Sequence, residues 1–116
     1  MNGTAHDLDG ALRALADVNR RTILALVRER ARPVGEIAEQ VAMSQQAVSH
    51  HLRVLRGAGL VTERREGARH LFQVRTDGLQ VVREFLDGFW PTQLAALKRA
   101  AEAESQRGAV GGGQNG

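Results

Sequence analysis

Apolar residues return at helical spacing through the first half of the chain and at strand spacing only after residue 60. Leu8, Ala11, Leu12 and Leu15 fall at i, i+3, i+4 and i+7, which predicts a first helix with one apolar stripe. Asp17 can accept a backbone N–H and start a second helix from about Val18 to Arg30, burying Ile23, Leu24 and Val27. Arg20, Arg21, Arg28 and Glu29 fall on its polar face. Pro33 disfavours helical geometry at Arg32 but is tolerated in a first turn, so it both ends this helix and opens the third. Val34, Ile37, Ala38 and Val41 repeat the same stripe. After a short connection at Ala42-Met43, Ser44 caps a fourth helix. Val48, Leu52 and Leu55 line its buried side, and Gly57 and Gly59 mark its end.

The period then drops to two. Val61–Arg65 and Arg69–Val74 read as strands joined by Glu66-Gly67-Ala68, with Gly67 supplying the positive φ of a tight turn. His70, Phe72 and Val74 share one face of the second strand; Arg69, Leu71 and Gln73 share the other. Two strands alone are marginal, so the hairpin must pack on the helices. Thr76-Asp77 can cap a final helix with a stripe of Leu79, Val82, Leu86 and Phe89, continued by Leu94 and Leu97. Pro91 interrupts that pattern and predicts a kink or break near Gly88-Phe89-Trp90. Residues 1–104 are expected to form one domain and residues 105–116 a disordered Gly-rich tail. The fold class is mainly α with a small β-hairpin, in the order α-α-α-α-β-β-α. A short turn between the third and fourth helices, followed by a hairpin, is a winged helix-turn-helix.

Composition narrows the function. The chain has no cysteine, which removes disulfides and thiolate metal ligands. No apolar run approaches the roughly 20 residues of a membrane span, and the N-terminus lacks a signal-peptide pattern. A soluble, cytoplasmic protein with no membrane partner is expected. The net charge is only +3, but Ser44 to Arg75 holds six Arg against two Glu, so the rest of the chain is slightly acidic. A local basic region points to a polyanion.

The fourth helix supplies the reading chemistry. Its first turns present Ser44, Gln45, Gln46, Ser49 and His50. Gln can bond adenine N6 and N7 together, and Ser can donate to or accept from several base edges. Arg53, one turn further on, is placed for phosphate. Arg65 and Arg69, around Gly67, could reach a neighbouring groove or backbone. His51 falls beside Val48, Leu52 and Leu55 and is assigned to packing. Catalysis finds no support: Ser49 and its His neighbours point apart on a helix, and there is no Cys or Tyr nucleophile. His50 and His51 are poorly placed to share a metal, His6, Asp7 and Asp9 read as a terminal segment, and Asp77, Glu84 and Asp87 alone are weak ligands. No metal and no cofactor are expected.

The motifs resemble a known family. Leu15-Ala16-Asp17-Val18-Asn19-Arg20-Arg21-Thr22-Ile23-Leu24 is similar to the "LADPTRRxIL" opening of the ArsR/SmtB winged-helix repressors. Val34-Gly35-Glu36-Ile37-Ala38 and the run from Ser44 to Leu55 resemble its "VGELA" and "SQPAVSxHLKVL" segments. Gly59-Leu60-Val61 and Arg64-Arg65-Glu66-Gly67 resemble its "AGLV" and "RREGR" wing. The resemblance implies a homodimer, formed mainly through the first and last helices, on an imperfect DNA palindrome, with a ligand releasing the DNA. That implies Leu8 and Leu12 at the interface with Phe89, Trp90, Leu94 and Leu97, whereas Phe85 is assigned to the core. Metal-sensing members carry Cys in the third helix or Asp/His/Glu clusters in the last; this chain lacks that Cys and has no His after His70. It therefore resembles the non-metal branch, with an unidentified small-molecule effector possible. A metal-responsive repressor and a winged-helix module for protein or RNA are the alternatives.

Overall fold

Short polar side chains start the helices where the sequence predicts. The computed structural model describes residues 7–91 and 97–106. In chain order these form α1 (Leu8–Leu15), α2 (Val18–Glu29), α3 (Val34–Val41), α4 (Gln45–Gly57), β1 (Val61–Glu66), β2 (Arg69–Val74) and α5 (Asp77–Asp87). Asp7 accepts from the Gly10 N–H, Asp17 from those of Asn19 and Arg20, and Ser44 from that of Ala47. Each bond satisfies a donor that a helix start leaves without an intrahelical partner. Pro33 stands at the N-cap of α3 and contributes no side-chain bond.

The core collects one stripe from each of α2, α3 and α4 and closes with the base of the hairpin. Ile23, Ile37, Val48, Leu55, Leu60 and Val61 are fully buried within it. Burying an aliphatic side chain of this kind is worth about 1.5–3 kcal/mol. The α1 stripe is buried unevenly. Ala11 and Ala14 are its fully buried residues, whereas Leu12 is 41% exposed and Leu8 half-buried. The small alanines let α1 approach α2 and α4 closely, while Leu15 packs against the core and Leu12 is left outward.

Arg32 is more than a helix breaker. It is only 6% exposed, and its backbone exchanges two hydrogen bonds with Phe72 of β2. Its guanidinium donates to the Leu26 carbonyl at 3.0 Å, Glu36 at 2.6 Å and Glu29 at 2.7 Å. One buried cation thus ties the end of α2, the start of α3 and the hairpin together. Burial alone would raise the Glu36 carboxyl; the Arg32 hydrogen bond and the Arg30 charge outweigh it and hold that group below its ordinary value.

The hairpin turn is one residue shorter than expected. Glu66 belongs to β1 and pairs with Arg69, leaving Gly67 and Ala68 as a two-residue turn. Gly67 has φ +62 and Ala68 is not left-handed, as a type II′ turn requires. A three-residue join would have placed Arg65 opposite Arg69. The observed register instead sets Glu66 against Arg69 and His70 against Arg65, avoiding a like-charge pair. Phe72 and Val74 pack against the core, and Leu71 on the opposite face is buried too.

The chain divides into two compact units, one up to Phe85 and one from Leu86 onward. In the first, α5 begins tightly: Gly78 is buried, its N–H bonds the Gly59 carbonyl at 2.9 Å, and a Cβ there would lie 2.2 Å from the Ala58 carbonyl oxygen. Phe85 does not join the core; it is 44% exposed and lies outside the buried cluster. The expected kink or break takes the form of a break: α5 ends at Asp87, and residues 88–90 form turn and bend. Residues 97–106 are helical, so Ser105 and Gln106 belong to a helix and not to the expected tail. Leu94 and residues 107–116 lie outside the described residues.

Candidate nucleic-acid interface

The link between α3 and α4 decides what α4 can present. Ala42 ends α3 in the left-handed region at φ 57, and Ser44 starts α4 two residues later. So short a turn projects the first turns of α4 away from the core. α4 spans roughly 20 Å at 1.5 Å per residue. Val48, Leu52 and Leu55 anchor it inward, while Gln46, His50 and Arg53 stand exposed at i, i+4 and i+7.

The other predicted readers are placed differently. The Ser44 oxygen is engaged in capping, which leaves its hydroxyl hydrogen as the group to offer outward. Gln45 is exposed but leans toward α3, its amide nitrogen 3.4 Å from where a Cβ on Gly35 would sit. Ser49 is half-buried and lines a cleft of about 150 Å³ between α4 and the hairpin, with Leu52, Arg53, Arg56, Glu63 and Phe72.

His51 lies on the packing side, as the helical spacing predicts. Its Nδ1 is 3.4 Å from a guanidinium nitrogen of Arg20. Arg20 also donates to the carbonyls of Ala14 and Arg13, and Arg21 donates to that of Leu15. The paired arginines that open α2 therefore satisfy the last carbonyls of α1. The Arg20 backbone N–H is the main influence holding the Asp17 carboxyl below its ordinary value.

The wing carries a chain of polar contacts that sequence reasoning missed. Arg56 donates to Glu63 at 3.0 Å, the other Glu63 oxygen meets Nδ1 of His70, and Nε2 of His70 lies 2.9 Å from Arg65. Donation from Arg65 needs a lone pair on Nε2, so the contacts suit the neutral imidazole with its proton on Nδ1. The strand period was the available signal, since Glu63 and Arg65 share a face and His70 stands opposite Arg65. The same register places Arg69 with Arg64 on the opposite face, so the two predicted wing arginines do not act from one side. Among the described residues Arg53, Arg64 and Arg69 make no ion pair, whereas Arg56 and Arg65 are engaged.

Of the residues expected at a dimer interface, Leu12 is exposed on α1, and Phe89, Trp90 and Leu97 are exposed in the second unit. The Lys98 ammonium lies 5.8 Å from the Trp90 ring centroid. Among the described residues there is no group of three or more His, Asp or Glu suited to a metal, and no helix is long and apolar enough to cross a membrane.

The sequence profile described as "Bacterial regulatory protein, arsR family" matches residues 17–63, from the cap of α2 into β1. The HTH-type transcriptional regulator Rv2034 of Mycobacterium tuberculosis is 38% identical over 96 residues, covering 83% of this chain and 90% of that protein. The chain belongs to the ArsR family. Another similar protein is the transcriptional repressor SdpR of Bacillus subtilis, 32% identical over 63% of this chain and 81% of its own length. Among solved structures, the homodimeric winged helix-turn-helix DNA-binding domain of Mb0332 from Mycobacterium bovis matches with a TM-score of 0.57 and 30% identity, over 81% of this chain and 77% of that one. As an ArsR-family member this chain is a DNA-binding transcriptional regulator and not an enzyme.

Proposed function

We propose that the protein is a cytoplasmic, homodimeric repressor that binds a two-fold operator in double-stranded DNA. The observation that carries this reading is the exposed row of Gln46, His50 and Arg53 on a helix whose opposite side is fully buried. Gln46 and His50 read base edges in the major groove, and Arg53 meets phosphate. Gln45 and Ser49 flank the reading row, and Ser44 offers its hydroxyl at the helix start, where free backbone N–H groups also favour phosphate. Arg64 and Arg69 carry unneutralised charge to the flanking backbone, while Arg65 acts through its contact with His70. Exposed Leu12, and separately Phe89, Trp90 and Leu97, support a second copy as partner, with Leu8 at the edge. The homodimeric state of Mb0332 and the repressor SdpR point the same way.

Selection from a randomised duplex pool tests the proposal. It should enrich an inverted repeat with half-sites about one helical turn, near 34 Å, apart. Affinity for the selected duplex should fall steeply with salt; three unpaired arginines per protomer give a log–log slope of about −5 for a dimer. Enrichment of no symmetric sequence would sink the proposal.

A further inference from the structure

A second concave site lies away from the exposed face of α4. It is a cavity of about 310 Å³ formed by the end of α1, the outer side of α2, the end of β2 and the start of α5. Leu15, Leu24, Val74 and Leu79 line it, each half-buried and packed against the core. Arg21 and Arg28, about two turns apart on α2, are exposed at its rim. Arg21 gives one nitrogen to the Leu15 carbonyl at 2.7 Å, which holds the guanidinium in place without an acidic partner. Arg28 makes no hydrogen bond or ion pair among the described residues, and no carboxylate lines the cavity. The volume is at the small end of the range for ligand sites.

We propose that this cavity binds a small organic carboxylate with an apolar body. The planar guanidinium fork matches the two oxygens of a carboxylate, and the leucine and valine side chains match a hydrocarbon body. A cation meets two like charges at the rim, and a neutral alcohol gains only the apolar contact. The cavity touches the hairpin directly at Val74, and α2, which forms its wall, packs against α4, so its occupant is one helix away from the face that contacts DNA in the reading above. Control of DNA binding by this ligand rests on that reading; the binding itself does not.

The test is calorimetric titration of octanoate into the full chain without DNA, with octanol and octylamine as neutral and cationic isosteres. The expected result is saturable binding at one octanoate per protomer, at least tenfold tighter than either isostere. Arg28→Met should abolish that preference, and Ala25→Trp, which fills the cavity from an exposed position, should abolish binding. Arg83→Met, on α5 and outside the cavity lining, should change neither. Lack of saturable octanoate binding, equal affinity for the three compounds, or an undiminished preference in Arg28→Met overturns the proposal. So does octanoate binding that vanishes as protein concentration drives dimer formation, because a second copy would then cover the cavity. A negative titration leaves operator binding untouched, and failure to select an operator leaves a positive titration standing.

Discussion

α4 and α5 are amphipathic helices of similar length with opposite fates. α4 buries Val48, Leu52 and Leu55 almost completely and exposes amide, imidazole and guanidinium groups. α5 buries fully only Gly78 and leaves Phe85 and Leu86 close to half exposed. An exposed polar face and a half-exposed apolar face call for different partners. The first suits a nucleic acid, whose phosphates and base edges replace water bond for bond. The second suits another protein, which removes apolar surface from water. Local amphipathicity is the same in kind for both helices; what each packs against decides which face is left over.

The largest effect should come from breaking the buried side of α4. Leu52→Ala should cost about 3 kcal/mol at any protein concentration, measured by denaturant unfolding. Trp90→Ala, just beyond the end of α5, should instead lower stability mainly through dimer dissociation, so its melting temperature should depend more strongly on concentration than the wild type's. Equal, concentration-independent losses for the two would erase the contrast. Next comes the point where α5 meets the end of α4. A methyl on Gly78 would collide with the Ala58 carbonyl, so Gly78→Ala should destabilise by about 2 kcal/mol. The smallest effect is at Ala42, where left-handed geometry costs an alanine about 1–2 kcal/mol. Ala42→Gly relieves that and loses part of it to the greater freedom of the unfolded chain, for a net gain of about 0.5 kcal/mol in thermal unfolding. DNA affinity should be unchanged by that substitution.

Much of this contrast was legible in the sequence, for local reasons. The stripe of α4, its Ser44 cap, the place of Gly67 in the turn and the break before Pro91 each depend on residues within a turn or two. What was not legible depends on residues brought together from far apart. Arg32 reads as a helix breaker until Glu29, Glu36 and the Phe72 backbone surround it. Gly78 looks unremarkable until the Ala58 carbonyl is against it. Phe85 is assigned to the core from the sequence, yet it is 44% exposed and outside the buried cluster. At the candidate interface, spacing grouped Ser49 with Gln46 and His50, and only the hairpin beside α4 turns Ser49 into a cleft residue. One residue in the length of the wing turn decided whether Arg65 and Arg69 share a face.

The central claim is that the exposed row on α4 reads sequence. Fluorescence anisotropy at fixed salt, comparing wild type with Gln46→Ala on the selected duplex and on random duplex, tests it most directly. The account predicts that Gln46→Ala weakens binding to the selected duplex by about tenfold, within the roughly 1–3 kcal/mol a specific base contact carries, and leaves random duplex unaffected. An equal loss on both duplexes, or no loss on either, would contradict it.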